Sequence, residues 1–267
     1  MDKDLQRRVI FGGVAFAIFI PVLMIGGALL QIGMGLLAML GVHELLQMKG
    51  LRSTTLEGVL AMLAGFVLTI PLENYLKFLS VDGNVVAYSL VVFLLLGSTV
   101  LGKNYSFEDA AYPIAASFYV GIGFNALLDA RVAGFDKVLL ALFIVWATDS
   151  GAYLVGRRYG VRRLAPHVSP NKTVEGSLGG IASAVLVTFI FMLFDRNVAA
   201  PHHMFVMLLS TVFFSIAGQF GDLVESAIKR HFGVKDSGKF IPGHGGVLDR
   251  FDSMLFVFPL MHFFGLF

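Results

Sequence analysis

Cysteine is absent from all 267 residues, which excludes thiolate nucleophiles, disulfides and cysteine-ligated metals in one step. Charge is scarce as well. Only 14% of the residues are Asp, Glu, Lys or Arg against 57% hydrophobic, and with a mean hydropathy of +0.80 there is too little polar surface to cover a water-soluble globule. The formal net charge of +2 gives bulk electrostatic binding of nucleic acid no support, so no nucleic-acid partner is expected. A polar mature domain after the first apolar run is missing too, so MDKDLQRR is read as leading into a retained helix rather than a cleaved signal peptide.

What the sequence does contain is apolar residues in long runs. A hydrocarbon layer about 30 Å thick takes roughly 20 residues of helix, and about nine runs come near that length: 9–27, 28–46, 57–72, 84–101, 111–128, 137–154, 178–194, 203–221 and 252–267. The expected fold is therefore all-α, a polytopic transmembrane protein of about nine helices. The third and ninth runs are short enough to be tilted, re-entrant or partly interfacial. With nine spans, the N-terminal tail and even-numbered loops carry 16 of the 20 Lys and Arg residues, leaving Lys77, Arg131, Lys137 and Arg196 for the other side. The positive-inside rule then puts the N-terminus and both long polar loops in the cytosol.

The halves of the chain differ in kind. Residues 1–135 read as transmembrane helices that pack and form a lipid cleft. Their glycines (Gly12, Gly13, Gly26, Gly27, Gly33, Gly35, Gly121 and Gly123) are expected to let helices approach closely. His43 and Glu44, next to Gln47 and Lys49, read as an interfacial cap. Residues 136–267 read as the catalytic region, because two helices there carry acids and then open into long polar loops, 147–180 and 221–252. Asp149 precedes Arg157 by eight residues, as Asp222 precedes Arg230, which puts each carboxylate roughly 12 Å deeper along its helix than the arginine. An ionisable residue at such depth faces a partner or a watered cavity. Asp222, Ser226 and Lys229 follow i, i+4, i+7, so carboxylate, hydroxyl and ammonium share one helical face.

The second loop mixes signs. Lys229, Arg230, Lys235, Asp236, Lys239, His244, Asp249, Arg250 and Asp252 are interleaved with Gly233, Gly238, Gly243, Gly245 and Gly246. A lipid-binding polybasic segment has no use for the acids; a site for a polyphosphate with a divalent metal uses both signs. Pro242-Gly243-His244-Gly245-Gly246 reads either as an ordinary turn into the last helix or as a nest of N–H groups for an anion.

SAIKRHFGVKDSGKFIPGHGGVLDRFD, residues 226–252, resembles the signature of the phosphatidate cytidylyltransferases without a visible departure, and SPNKTVEG (169–176) and DSGAY (149–153) are similar to further segments of that family. The resemblance implies CTP and phosphatidate as substrates, CDP-diacylglycerol and pyrophosphate as products, and a divalent cation, usually Mg²⁺, on Asp222 and Asp249. It implies that Lys229, Arg230, Lys235, Lys239, His244 and Arg250 neutralise and stabilise phosphate charge. Ser226, Asp149, Lys172, Glu175, Gly245 and Gly246 are the implied substrate-binding residues. Short length and a short hydrophilic N-terminus resemble bacterial members, which implies an inner-membrane location with the site facing the cytosol among membrane lipids; a homodimer is expected by resemblance alone. The competing readings are a CTP-dependent polyprenol or dolichol kinase and a secondary transporter using the intramembrane aspartates. The long aspartate-rich motif of CDP-alcohol phosphotransferases is not found.

Overall fold

A computed structural model of the chain describes residues 3–75, 83–101, 105–195, 198, 200, 202–240 and 245–267. The helices in chain order are α1 Lys3–Ile25, α2 Gly27–Met48, α3 Leu56–Thr69, α4 Gly83–Leu101, α5 Phe107–Ala133, α6 Phe135–Tyr159, α7 Val174–Phe194, α8 Met204–His231, α9 Leu248–Phe251 and α10 Met254–Phe263. Six of them (α2 and α4 to α8) are long and apolar enough to cross a membrane. The remaining apolar runs fall on shorter helices at 12–25, Leu56–Thr69 and Met254–Phe263. The polytopic all-α architecture is thus present, with six helices among the described residues that satisfy span length and composition by themselves.

Local chemistry sets the helix ends. Thr55 caps α3 and Thr173 caps α7 by accepting from the N–H three residues on, and each is followed by a glutamate in the first turn, where the helix dipole favours negative charge. At the other end of α8, Lys229, Arg230 and His231 occupy the last turn. Gly233 (φ 70°) then ends the helix, with Gly233 N–H donating to Arg230 O and Val234 N–H to Lys229 O. This is a Schellman stop, and it needs the left-handed conformation that glycine adopts without a steric penalty.

Between α6 and α7, where the sequence reads as loop, two short strands pair antiparallel: β1 Arg163–Ala165 and β2 Ser169–Thr173. Pro166 follows Ala165 in the connecting turn, which Val168 N–H closes onto Ala165 O at 3.1 Å.

The chain forms two compact units. The first comprises 1–128 with 236–250, and the second 129–235 with 251–267. In the first unit α3 packs on α2 and α4. Its small residues explain the closeness only in part: a Cβ at Gly35 would meet the Phe66 ring at 2.7 Å and one at Gly121 would meet Leu68 at 3.0 Å, whereas Gly13 and Gly33 have open space around them.

The second unit holds the tighter seam. Facing α6, a Cβ at Gly176 would lie 2.7 Å from Ala152 O, and one at Gly180 the same distance from Thr148 O. On α6, Gly151 could not carry a Cβ beside Ser183. Helices in a bilayer gain little from apolar burial against each other, so backbone approach over such a small-residue stripe is the main source of association. Helix α8 joins them through Thr148 Oγ1 and Ser215 Oγ, 2.8 Å apart and both buried.

Gly180→Leu should therefore destabilise the protein by about 1–3 kcal/mol, the range for overpacking. Gly33→Ala should be neutral or slightly stabilising. Thermal unfolding in detergent checks both, and equal losses would contradict the seam.

Candidate functional site

The second unit contains a pocket of about 660 Å³, within the size range of small-molecule sites. Helix α6 contributes Asp149 and Arg157, the β-ribbon contributes Arg163, Asn171 and Lys172, and α8 contributes Gln219 and Asp222. Both helices carry their acids to this pocket. Lys172 Nζ donates to Asp222 Oδ2 at 2.5 Å, while Ser226 Oγ donates to Asp222 Oδ1 at 3.3 Å. Asp149 feels the like charge of Asp222 and the opposing charge of Lys172.

Asp252, the last residue of the signature stretch, also feels Asp222 and Asp149, offset by Lys229. Lys229 is itself tied one turn back along α8 to the buried Glu225, at 2.5 Å. Asp149, Asp222 and Asp252 therefore gather beside two ammonium groups, Lys172 paired with Asp222 and Lys229 with Glu225. Around them the pocket lining supplies Arg157, Arg163 and Lys172 against Asp149 and Asp222, three cations to two anions.

Among the described residues no three His, Asp or Glu side chains converge closely enough to encage a metal ion. Magnesium does not require such a cage: it is held by one or two carboxylates and completes its octahedron with water and substrate phosphates. Asp222, at the pocket and within electrostatic reach of Asp149 and Asp252, offers a carboxylate of that kind.

Glu175 is not among the pocket-lining residues. Its carboxylate instead clasps the chain leaving α6, accepting from Val161 N–H at 3.0 Å, Arg162 N–H at 3.1 Å and Arg162 Nε at 3.0 Å. Arg230 is exposed and donates to Val234 O at 2.9 Å. Lys235 is exposed as well.

In the first unit Gly245, Gly246 and Asp249 lie at the start of α9. Asp249 Oδ2 accepts from Ser237 N–H and Gly246 N–H, each at 2.8 Å, and from Ser237 Oγ at 2.9 Å. Glu44, reaching in from α2, accepts from Val247 N–H at 2.7 Å through Oε1, and through Oε2 from Leu248 N–H at 3.0 Å and Ser237 Oγ at 2.9 Å. Gly245 has φ 82°, and the Gly246 N–H is turned to Asp249. Lys239 and Arg250 are exposed, and His244 lies outside the described residues.

Glu44 is the main correction to the sequence reading. It is 3% exposed and holds the signature segment, where an interfacial cap was expected. Its neighbour His43 bonds Ser53 through Nδ1 at 2.6 Å. The missed signal was an acid inside an apolar run, the feature that singled out Asp149 and Asp222. Gln219 and Arg163 were missed for another reason: nothing in their spacing marks them as pocket residues, and Arg157 entered only as the depth reference for Asp149.

The chain matches the cytidylyltransferase family over residues 6–267. A phosphatidate cytidylyltransferase of Staphylococcus saprophyticus is 42% identical over 262 residues, covering 97% of this chain and 98% of its own. One from Staphylococcus epidermidis is 42% identical over 261 residues with the same coverage, and one from Staphylococcus aureus is 40% identical over 262 residues, again covering 97% and 98%.

Arg157, Arg163 and Lys172 on the pocket wall predict binding of polyphosphate anions. Arg163→Gln should weaken inorganic tripolyphosphate about two- to fivefold by calorimetry, as one exposed charge contact worth up to about 1 kcal/mol allows. The difference should shrink at high salt. Binding unchanged at low salt would remove Arg163 from the anion site.

Proposed function

The chain belongs to the cytidylyltransferase family, and from that premise we propose that it joins CTP to phosphatidate, giving CDP-diacylglycerol and pyrophosphate. The observation that carries this reading is the pocket in which Asp149, Asp222 and Lys172 stand among arginines. The names of its relatives add the acceptor.

Phosphatidate carries a phosphate monoester whose second pKa is about 6, so much of it is dianionic at neutral pH and needs no protein base. Its oxygen attacks the α-phosphorus of CTP; the new P–O bond forms as the bond to the β-phosphate's bridging oxygen breaks, and pyrophosphate leaves. The protein's work is then positioning and charge stabilisation. Lys229, Arg230, Lys235, Lys239, His244 and Arg250 are assigned to that charge, with Lys172 and Ser226 orienting Asp222. On family resemblance, Asp222 and Asp249 are each assigned to Mg²⁺ binding. A bound divalent ion would supply charge neutralisation among the CTP phosphates.

The protein is a membrane protein by its apolar helices. We place its activity at the bacterial inner membrane, open to the cytosol, and propose a homodimer on family resemblance.

Full-length protein purified in detergent should convert CTP and phosphatidate to CDP-diacylglycerol and pyrophosphate in equal amounts, stop on chelation and resume with Mg²⁺. Asp222→Asn and Asp249→Asn should lower the rate by orders of magnitude, while Asp195→Asn, at the C-cap of α7, should behave nearly as wild type. Equal loss in all three would assign the acids to insertion or stability instead.

With no native cysteine, His167→Cys in the hairpin turn and Phe240→Cys, both exposed, should react with an impermeant thiol reagent from the cytosolic side only. Labelling in intact cells would reverse the orientation.

A further inference from the structure

The first unit carries a buried acid that the chemistry above leaves without a task. Glu44 lies four residues before the end of α2, about 190 to 200 positions from its partners in sequence. It nevertheless meets the residues that hold Asp249. A helix start leaves its first N–H groups without intrahelical acceptors, and at α9 each is accounted for: Gly246 N–H goes to Asp249 Oδ2, Val247 and Leu248 N–H to Glu44, and Asp249 N–H to Ser237 Oγ. Two carboxylates and one hydroxyl therefore fix the segment.

Ser237 links the acids. Its Oγ lies 2.9 Å from Glu44 Oε2 and 2.9 Å from Asp249 Oδ2, and its side chain is buried. A serine hydroxyl has one proton, so the two carboxylates share a single donor, and moving either changes what the other receives. The glycines fit around the same group. A Cβ at Gly238 would meet Glu44 Oε1 at 2.7 Å, and one at Gly246 would collide with both Glu44 and Ser237. Gly238 and Gly246 are bare because Glu44 occupies the space a side chain would need.

From this geometry we infer that Glu44 is a positioning residue of the reaction centre: acting from α2 through the Ser237 hydroxyl, it sets the orientation of the Asp249 carboxylate. The inference rests on the reading above that Asp249 serves the reaction. It assigns to the first half of the chain a part in catalysis beyond packing and lipid access. Glu44 touches neither substrate nor metal in this account, and its effect passes through Ser237 and the N–H groups of 247 and 248.

The test is a double-mutant cycle in full-length enzyme purified in detergent. Glu44→Gln keeps the side chain's size and one acceptor but loses the carboxylate's symmetry and charge. It should lower kcat roughly 10- to 100-fold, the scale of a misplaced catalytic group, with KM for CTP and phosphatidate within about twofold. Ser237→Ala should do the same. The double variant should be no slower than the slower single one, because both break one relay.

Amide hydrogen exchange read by mass spectrometry supplies a measure independent of turnover. Exchange in Glu44→Gln should quicken across 245–250 and remain as in wild type in α3 and α4. Wild-type kcat together with wild-type exchange in Glu44→Gln would overturn the inference, as would losses that multiply in the double variant. Asp249→Asn run in parallel separates the two claims. If it turns over like wild type, the role given to Asp249 falls; if it is inactive while Glu44→Gln turns over normally, only the inference about Glu44 falls.

Discussion

A carboxylate placed in an apolar helix must find donors or counter-charge within its own protein, because the bilayer offers none. The cost of leaving it unmet is roughly 2.5–3.5 kcal/mol on insertion scales, a large fraction of a typical domain's net stability. Each half of this structure is arranged around that constraint. Asp222 is met by Lys172 and Ser226, Glu225 by Lys229, and Glu44 by a hydroxyl and two backbone N–H groups. Satisfying the acids fixes the segments that supply the donors, so polar pairing orders the loops.

The consequences differ between the units. In the second, the close α6–α7 seam of glycines brings the β-ribbon and its lysine over α8, and Lys172 meets Asp222 at a pocket. In the first, no comparable cavity is needed for Glu44 to act, since its carboxylate is consumed in holding 237 and 246–249. A pocket binds by leaving charge exposed to a ligand; a clamp orders by using charge up.

Much of the fold was legible because a membrane simplifies the reading: long apolar runs must be helices, and most fell where hydropathy places them. The ribbon was not, since SPNKT and RLA have no alternation of apolar residues to announce a strand. Of the site, Asp149, Lys172, Asp222 and Ser226 were legible from depth, helical spacing and family resemblance. Glu225 hid one position before the recognised signature. Glu44 hid for want of a partner: its donors lie at the far end of the chain, and local sequence suggested an interface residue. Reading every acid in an apolar run as a demand for donors would have flagged it.

The proposed reaction cleaves CTP between its α- and β-phosphates through attack by an anionic lipid phosphate. The fate of the phosphorus atoms tests it most directly. CTP labelled at the α-phosphorus should carry its label into the lipid product with phosphatidate as acceptor, and CTP labelled at the γ-phosphorus should release all of its label as pyrophosphate. Label from the γ-phosphorus in lipid, with the α label retained in CDP, would contradict the account and assign the protein to phosphorylation of an alcohol.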